Sequence, residues 1–195
     1  MERKWQIHFD GACEPFNPGG IATYGFTVRN DGGTQLGFDG QGVAVVGAEA
    51  TNNVAEYMAA LKGLSEVDRM AQKGDRIELL GDSQLVIRQL TGEYAVNAPN
   101  LKPLHARAAM AIYDFRTKGI PVDLTWIPRE KNTLADRLSK AAIKEAGEKD
   151  PEIAKKVILG FGKFSGSSLW DVPKDYYEWL WKQRGGELQI PYRPV

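Results

Sequence analysis

The stretch Trp5-Gln6-Ile7-His8-Phe9-Asp10-Gly11-Ala12-Cys13 decides the fold, because it joins a strand pattern to a single acid. Bulky apolar residues alternate with polar ones at the period of two that is typical of a β-strand. The strand carries Asp10 to a position just before Gly11, where it must end or bend. A carboxylate among apolar residues is costly to bury unless a positive group compensates it. The stretch therefore predicts a buried acid with a cationic partner.

The composition is typical of a soluble globular protein. Of 195 residues, 43% are hydrophobic and 26% are charged, with 25 basic and 25 acidic side chains. The length predicts one domain with an appendage, and the balanced charge does not by itself indicate nucleic-acid binding. We find no secretion signal and no membrane-spanning apolar run in the sequence. The lone Cys13 suits a reducing compartment, so we expect a cytoplasmic protein.

Hydrophobic periodicity predicts the order β-β-β-α-β-α-α-β-α. Asn30-Asp31-Gly32-Gly33 is a strong signal for a hairpin between the second and third strands. The later alternation of strands and helices implies parallel strands with right-handed crossovers. We therefore predict an α/β fold in which a mixed sheet is flanked by helices. Strands are predicted over 5–10, 21–29, 34–46, 76–80 and 121–126, and helices over 51–73, 82–90, 104–119 and 132–146.

Three further acids, Glu56, Asp82 and Asp136, lie in similarly apolar surroundings. Each falls at a predicted strand end or in the first turns of a predicted helix, which is the usual site crevice of open α/β sheets. Taken singly, such acids are more often helix caps or solvated residues favoured by the helix dipole. In combination with Asp10 they form a set of oxygen ligands that selects Mg²⁺ or Mn²⁺. Two such ions can drive phosphodiester hydrolysis.

Four segments around these acids closely resemble type 1 ribonuclease H in order and spacing, over residues 3–146. They are Asp10-Gly11-Ala12-Cys13, Thr51-Asn52-Asn53-Val54-Ala55-Glu56, Gly81-Asp82-Ser83-Gln84 and Asn132-Thr133-Leu134-Ala135-Asp136. The resemblance implies a ribonuclease H-like mixed five-stranded sheet, with three antiparallel strands followed by parallel ones. It also implies a metal-dependent endoribonuclease that cuts the RNA strand of RNA/DNA hybrids and leaves 5′-phosphate and 3′-hydroxyl ends.

The resemblance further implies a role for each residue. Two Mg²⁺ ions, with Mn²⁺ as a substitute, would bind with the substrate, and Asp10 would bridge them. Asp82 would join it on the ion nearest the attacking water, with Glu56 and Asp136 around the other. Thr51 would help to hold a DNA-strand phosphate, and polar side chains would read the minor groove and 2′-hydroxyls. Capping and turn formation are an equal alternative for Asn52 and Asn53. The implied substrate contacts are Gly11, Cys13, Asn17, Thr51, Asn52, Asn53 and Gln84.

Two features found in family members are missing. Many members place a histidine in the loop before the last aspartate, but this chain has only His8, expected in the core, and His105, expected far from the motifs. Arg129, seven residues before the last acid, is the nearest candidate for that role through a phosphate contact. A merely solvated arginine is an equal alternative. A basic insertion is also absent, since only Lys102 is basic across residues 92–103.

We predict a catalytic domain over residues 1–147 and an aromatic, mildly basic C-terminal extension over 148–195. A helix is expected over 173–183, stopped by Gly185-Gly186. The extension resembles a small module at the C-terminus of some bacterial exonucleases. It would either grip nucleic acid or cover the main domain as a lid, with the lid somewhat favoured. The tryptophans expected to pack in such a lid are Trp170, Trp179 and Trp181.

Two other functions are weighed against hybrid cleavage. A 3′–5′ exonuclease of related fold would carry Asp-x-Glu on its first strand, but Ala12 occupies the Glu position here. A catalytically inactive hybrid-binding module would not need all of the acids, which are intact. The expected partner is an RNA/DNA hybrid, with cleavage of double-stranded RNA left open. We expect a monomer with no membrane association.

Overall fold

The structure is a computed structural model that describes residues 3–31, 37–150 and 152–183. The strands are β1 (Lys4–Glu14), β2 (Ile21–Asn30), β3 (Gly37–Val46), β4 (Arg76–Gly81) and β5 (Val122–Trp126). The main helices are α1 (Asn52–Asp68), α2 (Gln84–Leu90), α3 (Lys102–Thr117), α4 (Thr133–Lys149) and α5 (Lys174–Gln183).

These strands form one sheet in the order β3-β2-β1-β4-β5. β1 pairs antiparallel with β2, and β2 with β3, whereas β4 runs parallel to both β1 and β5. The predicted mixed five-stranded sheet is confirmed. Because β1 and β4 are neighbours and parallel, the carboxyl ends of both strands reach the same edge of the sheet.

One face of β1 forms the centre of the core. Trp5, Ile7 and Phe9 are fully buried, and α1 packs closely on them. Gly63 allows this approach, since a Cβ there would lie 2.3 Å from Ile7 Cγ2. His8 points to the other face and is only half-buried, so the expectation that it belongs to the core is wrong.

Element boundaries differ from the predicted ones by a few residues. α1 ends at Asp68 rather than at the glycine turn, and α4 continues to Lys149 rather than ending near 146. The third strand begins at Gly37, and the predicted start of that strand lies outside the described residues. The second half of the predicted hairpin turn, Gly32-Gly33, lies outside them too, as does the predicted stop at Gly185-Gly186.

The C-terminal extension packs on the loop between β1 and β2. The amide of Ile158 donates to Gly19 O at 2.8 Å. Gly19 has a φ of 106°, and a Cβ there would lie 2.0 Å from Ile158 O, so this contact requires glycine. The buried residues that join the extension to the main domain are Phe16, Ile21, Ala146, Ile153, Ala154, Val157, Leu159, Leu169, Val172, Tyr177 and Leu180.

The extension therefore has the apolar contacts of a lid, but different residues make them. Trp179 and Trp181 are 49% and 44% exposed, and Trp170 is only partly buried. The prediction that three tryptophans pack on the main domain is wrong for Trp179 and Trp181. α5 buries Tyr177 and Leu180, which lie three positions apart on one helix face, and leaves the two tryptophans on its flanks. The division at residue 147 stays a prediction.

No helix among residues 3–31, 37–150 and 152–183 has the length and apolar character needed to span a bilayer.

Candidate active site

The four predicted acids come from four different elements and lie at one edge of the sheet. Asp10 lies in β1, Glu56 in the second turn of α1, Asp82 just after β4, and Asp136 in the first turn of α4. Their negative charges interact: those of Asp82 and Asp136 raise the pKa of Asp10, and those of Asp10 and Asp82 raise the pKa of Glu56. The fold thus brings together residues that are far apart in the sequence.

Asp10 is a buried carboxylate with a single hydroxyl donor in the described residues. Its side chain is in a residue only 4% exposed, and Ser139 Oγ donates a short hydrogen bond to Oδ2. Burial raises the pKa of Asp10 to about 7, to which Asp82 and Asp136 contribute, while the Ser139 bond opposes the rise. The ionised form of Asp10 is therefore costly without a cation nearby.

Glu56 is less well compensated still. Its Oε2 atom is buried without a hydrogen-bond partner among the described residues, and Asn52 Nδ2 lies 3.4 Å from Oε1. Burial and the charges of Asp10 and Asp82 raise the pKa of Glu56 well above its usual value, although a backbone bond from Gly11 opposes this. Gly11 also lets α1 approach β1, since a Cβ there would lie 2.3 Å from Glu56 N.

Asp82 is held by Asn132, a residue that the sequence indicated only as a helix cap. Asn132 does occupy the N-cap position of α4, but its side chain makes no capping bond. Instead, Nδ2 donates to Asp82 Oδ1 at 2.6 Å and to Phe9 O at 2.8 Å. Asn132 thereby fixes the start of α4 to both β1 and Asp82. Its place at the head of the fourth family-like segment was the only sequence signal for this role.

Asp136 differs from the other three acids because it has cationic partners. Arg129 Nη2 donates to one carboxylate oxygen at 2.6 Å, and Lys140 Nζ donates to the other at 2.7 Å. Burial would raise the pKa of Asp136, but Lys140 and Arg129 outweigh it and lower the pKa. Arg129 therefore lies beside the acids and contacts Asp136, with two-thirds of its side chain exposed, and its role toward a phosphate stays a prediction.

The residues present fit a divalent metal, although they are not closed around one. Across the described ranges, no group of three or more His, Cys, Asp or Glu side chains converges enough to hold an ion. Ser139, Asn132 and Arg129 each donate a hydrogen bond to one of the carboxylates. The donor set nevertheless consists of oxygen atoms, which suits Mg²⁺ or Mn²⁺. Among the described residues, the unpartnered oxygen of Glu56 and the raised pKa of Asp10 mark the two carboxylates whose negative charge is least compensated.

Five of the predicted substrate contacts lie at or beside the first residues of α1 and α2. Asn17 Oδ1 accepts from the amide of Asn52 at 3.2 Å, so both residues border the start of α1 beside Glu56. Thr51 caps that helix, because its hydroxyl accepts from Val54 N at 3.2 Å. Asn53 is half-buried in the first turn of α1, and Gln84 is exposed at the first position of α2.

Cys13, another predicted substrate contact, has a buried side chain. Its Sγ donates to Phe16 O at 3.1 Å, and the residue is buried in a small apolar cluster. Burial raises the pKa of the Cys13 thiol to about 11. The thiol therefore takes part in packing the loop after β1.

The chain that carries this fold and this cluster of acids is similar to a known family of proteins and to several related sequences. Residues 8–142 match the model of the family described as reverse transcriptase-like. Ribonuclease HI of Halobacterium salinarum is 38% identical over 148 residues, which cover 74% of this chain and 68% of that protein. A bifunctional protein of Mycobacterium tuberculosis is 35% identical over 143 residues, but they span only 36% of its length.

Solved structures agree with the sequence relatives. The N-terminal ribonuclease H domain of the M. tuberculosis protein superposes with a TM-score of 0.64 at 32% identity, covering 75% of this chain and 97% of that one. A ribonuclease H1 isolated from compost, solved in complex with an RNA/DNA hybrid, superposes with a TM-score of 0.60 at 30% identity, covering 73% and 98%. The chain belongs to the type 1 ribonuclease H family. Enzymes of this family generally use divalent metal ions.

Proposed function

We propose that this protein is an endoribonuclease that hydrolyses the RNA strand of RNA/DNA hybrids with two Mg²⁺ ions, for which Mn²⁺ can substitute. Asp10, Glu56, Asp82 and Asp136 are its candidate metal ligands. The observation that carries the proposal is the undercompensated charge of this cluster, above all the buried Glu56 Oε2 without a partner. A cluster that is costly without cations and built from oxygen donors is suited to hard divalent ions.

Asp10, Glu56, Asp82 and Asp136 would hold the divalent ions, whose chemistry would be to activate a water and to stabilise the departing oxygen of the phosphodiester. The chain's own residues orient the carboxylates that hold them. Ser139 fixes the orientation of Asp10, and Asn132 fixes that of Asp82. Arg129 is the candidate for a phosphate contact, because its guanidinium lies at the site and is two-thirds exposed. Cleavage that leaves 5′-phosphate and 3′-hydroxyl ends follows from water attack on phosphorus with the 3′ oxygen leaving.

The hybrid would bind along the edge where α1 and α2 begin. Asn17, Asn52, Asn53 and Gln84 present amide groups there, which suits recognition of minor-groove edges and 2′-hydroxyls. The hybrid complex of the compost ribonuclease H1 supports this substrate, since it shares the fold and 30% of the sequence. We place the reaction in the cytoplasm and assign it to a monomer.

A cleavage panel tests the proposal. Labelled RNA/DNA, RNA/RNA and DNA/DNA duplexes are incubated with the full-length chain and Mg²⁺, Mn²⁺ or EDTA, with Asp10→Asn as the inactive control. We expect cleavage of the RNA/DNA duplex by the wild type with either metal, internal cuts, and 5′-phosphate products. Equal cleavage of RNA/DNA and DNA/DNA duplexes would reject hybrid specificity, and stepwise removal from a 3′ end would favour the exonuclease alternative.

A further inference from the structure

The C-terminal extension carries a row of three neighbouring aromatic rings that is only partly covered. The ring centroids of Phe164 and Tyr176 lie 4.6 Å apart at 64°, and those of Tyr176 and Trp179 lie 5.4 Å apart at 32°. We call these three residues the aromatic face. Together with Lys163, Pro173 and Asp175 they line a cavity of about 280 Å³. Trp179 is half-exposed, although α5 already buries Tyr177 and Leu180 on its inner side.

Packing of the extension accounts for Phe164 and Tyr176, which lie partly buried against its apolar core, but not for Trp179. Trp179 is 49% exposed and belongs neither to that core nor to the residues packed on it. A large aromatic side chain left in solvent gives up the favourable burial that such residues usually obtain. The exposed ring of Trp179, at the end of this row and beside the cavity, is a surface on which another flat ring can stack.

The cavity beside the aromatic face is lined by one basic residue, Lys163, and one acidic residue, Asp175. Lys163 Nζ lies 5.5 Å from the centre of the Phe164 ring. Within the part of the chain that the structure describes, Lys163, Lys174 and Lys182 form no ion pair, whereas Lys155 is paired with Glu152. Asp175 lines the same cavity, so the attraction for phosphate is modest and ring stacking must supply most of the affinity.

The loop that carries Phe164 contacts the main domain next to the candidate active-site edge. Phe161, in the same loop as Phe164, packs edge-on against Phe16 with ring centroids 5.3 Å apart. Phe16 directly precedes Asn17, whose side chain meets the start of α1. A nucleic-acid strand that leaves the Asn17 side of the proposed hybrid site would therefore come next to the extension.

We propose that the aromatic face binds single-stranded nucleic acid by base stacking, and takes the unpaired strand that flanks a hybrid. Every base offers a flat ring, so stacking accepts DNA and RNA of any sequence. The binding of free single strands stands on the aromatic face alone. The placement of the flanking strand rests on the proposed function of the main domain.

The test uses the full-length chain and two tryptophans of the same helix. Trp179→Ala removes a ring of the aromatic face. Trp181→Ala is the matched control, because Trp181 is similarly exposed but forms no ring pair with the aromatic face in the described part of the chain. Fluorescent oligothymidylate and oligouridylate of about eight nucleotides serve as probes, in EDTA so that nothing is hydrolysed. We expect Trp179→Ala to weaken binding of both probes about tenfold or more, and Trp181→Ala to leave it within about twofold.

A second measurement links the aromatic face to cleavage. With Mg²⁺, the wild type should show a lower KM for a hybrid with a single-stranded overhang than for a blunt hybrid, and Trp179→Ala should lose that preference with an unchanged kcat on the blunt hybrid. Absence of cleavage of the blunt hybrid by wild type would reject the proposed function but not the binding of single strands. Lys163→Gln gives an independent check, since it should make the salt dependence of oligonucleotide binding shallower by about one unit of slope.

Equal loss of binding in the two tryptophan variants, or no binding of either oligonucleotide by wild type, would overturn the proposal. If Trp179→Ala lowers the melting temperature, the proposal is tested instead by the salt dependence of oligonucleotide binding in Lys163→Gln. An unchanged salt dependence overturns the proposal, and a shallower one supports it.

Discussion

Two buried aspartates at opposite ends of the same sheet behave in opposite ways. Asp75 and Asp10 are 3% and 4% exposed. Asp75 receives hydrogen bonds from Arg3 Nη2 at 2.6 Å, Trp5 Nε1 at 3.0 Å and Gln72 N at 2.9 Å. Burial would raise the pKa of Asp75, but these donors outweigh it and lower the pKa to about 2. Asp10 has other acids as neighbours, and its pKa is raised to about 7.

The difference shows what each carboxylate is suited to do. Asp75 is fully compensated by the chain, so its ionised form stabilises the junction of β1 and β4. Asp10 has one hydroxyl donor and repelling neighbours, so its ionised form needs a partner from outside the chain. Burial is the same in both cases, and the neighbours decide whether a buried acid contributes to stability or to a site.

The largest expected effect is on catalysis. We expect Asp10→Asn, Glu56→Gln and Asp82→Asn each to lower kcat on RNA/DNA hybrids by about 1,000-fold or more, or about 4 kcal/mol, because each carboxylate is proposed to position charge at the reacting phosphate. Asp75→Asn is the matched control and should keep kcat per folded molecule. The comparison fails if a site variant turns over at nearly the wild-type rate, or if Asp75→Asn is as inactive as the site variants.

The next effect is on stability, which we expect to decrease when Asp75 rather than Asp10 is neutralised. Because the folded-state pKa of Asp75 is about 2, below the usual value near 4, its contribution is complete above about pH 5 and is lost as pH falls toward 2. We expect Asp75→Asn to lower the free energy of unfolding at pH 7 by about 2 kcal/mol, measured by urea titration.

At pH 3 the wild type and Asp75→Asn should differ by less than at pH 7, because part of the wild-type advantage is already lost there. A difference that does not shrink on acidification would show that Asp75 acts through its shape rather than its charge.

A smaller change in stability, of the opposite sign, is expected from neutralising Asp10. Asp10→Asn removes one of the repelling buried charges, so it should raise the free energy of unfolding in EDTA by about 1 kcal/mol at pH 8. Mg²⁺ at millimolar concentration should raise the melting temperature of wild type, because it binds only the folded state. It should raise that of Asp10→Asn less. Identical melting curves of wild type in EDTA and in Mg²⁺ would contradict the interpretation of this cluster as a metal site.

The smallest expected effect on catalysis concerns Arg129, whose guanidinium contacts Asp136. If it contacts a phosphate in place of the missing histidine, Arg129→Ala should lower kcat about tenfold, or about 1.4 kcal/mol. Lys131→Ala, in the same short 3₁₀ helix, is the control, because Lys131 forms no ion pair in the described part of the chain. An unchanged kcat in Arg129→Ala would limit Arg129 to holding Asp136.

The sequence by itself determined the order of elements and the four acids. Both are encoded locally: β1 alternates over a few residues, and each acid stands within a short recognisable segment such as Asp10-Gly11-Ala12-Cys13. The family resemblance then supplied the sheet, which the structure confirms. The burial of single residues was harder to predict from the sequence, as His8 and the tryptophans of α5 show, because it depends on which face another element covers.

Only the tertiary structure decided how the acids are held and where the extension lies. Ser139 meets Asp10 across 129 positions of sequence, and Asn132 reaches Phe9 across 123. No periodicity or local motif encodes such contacts, since they exist only once α4 packs on β1. The seating of Ile158 on Gly19 has the same origin. Side-chain donors, unlike strand patterns, acquire their partners from the packing of distant elements, and so the compensation of each buried charge is fixed by the fold.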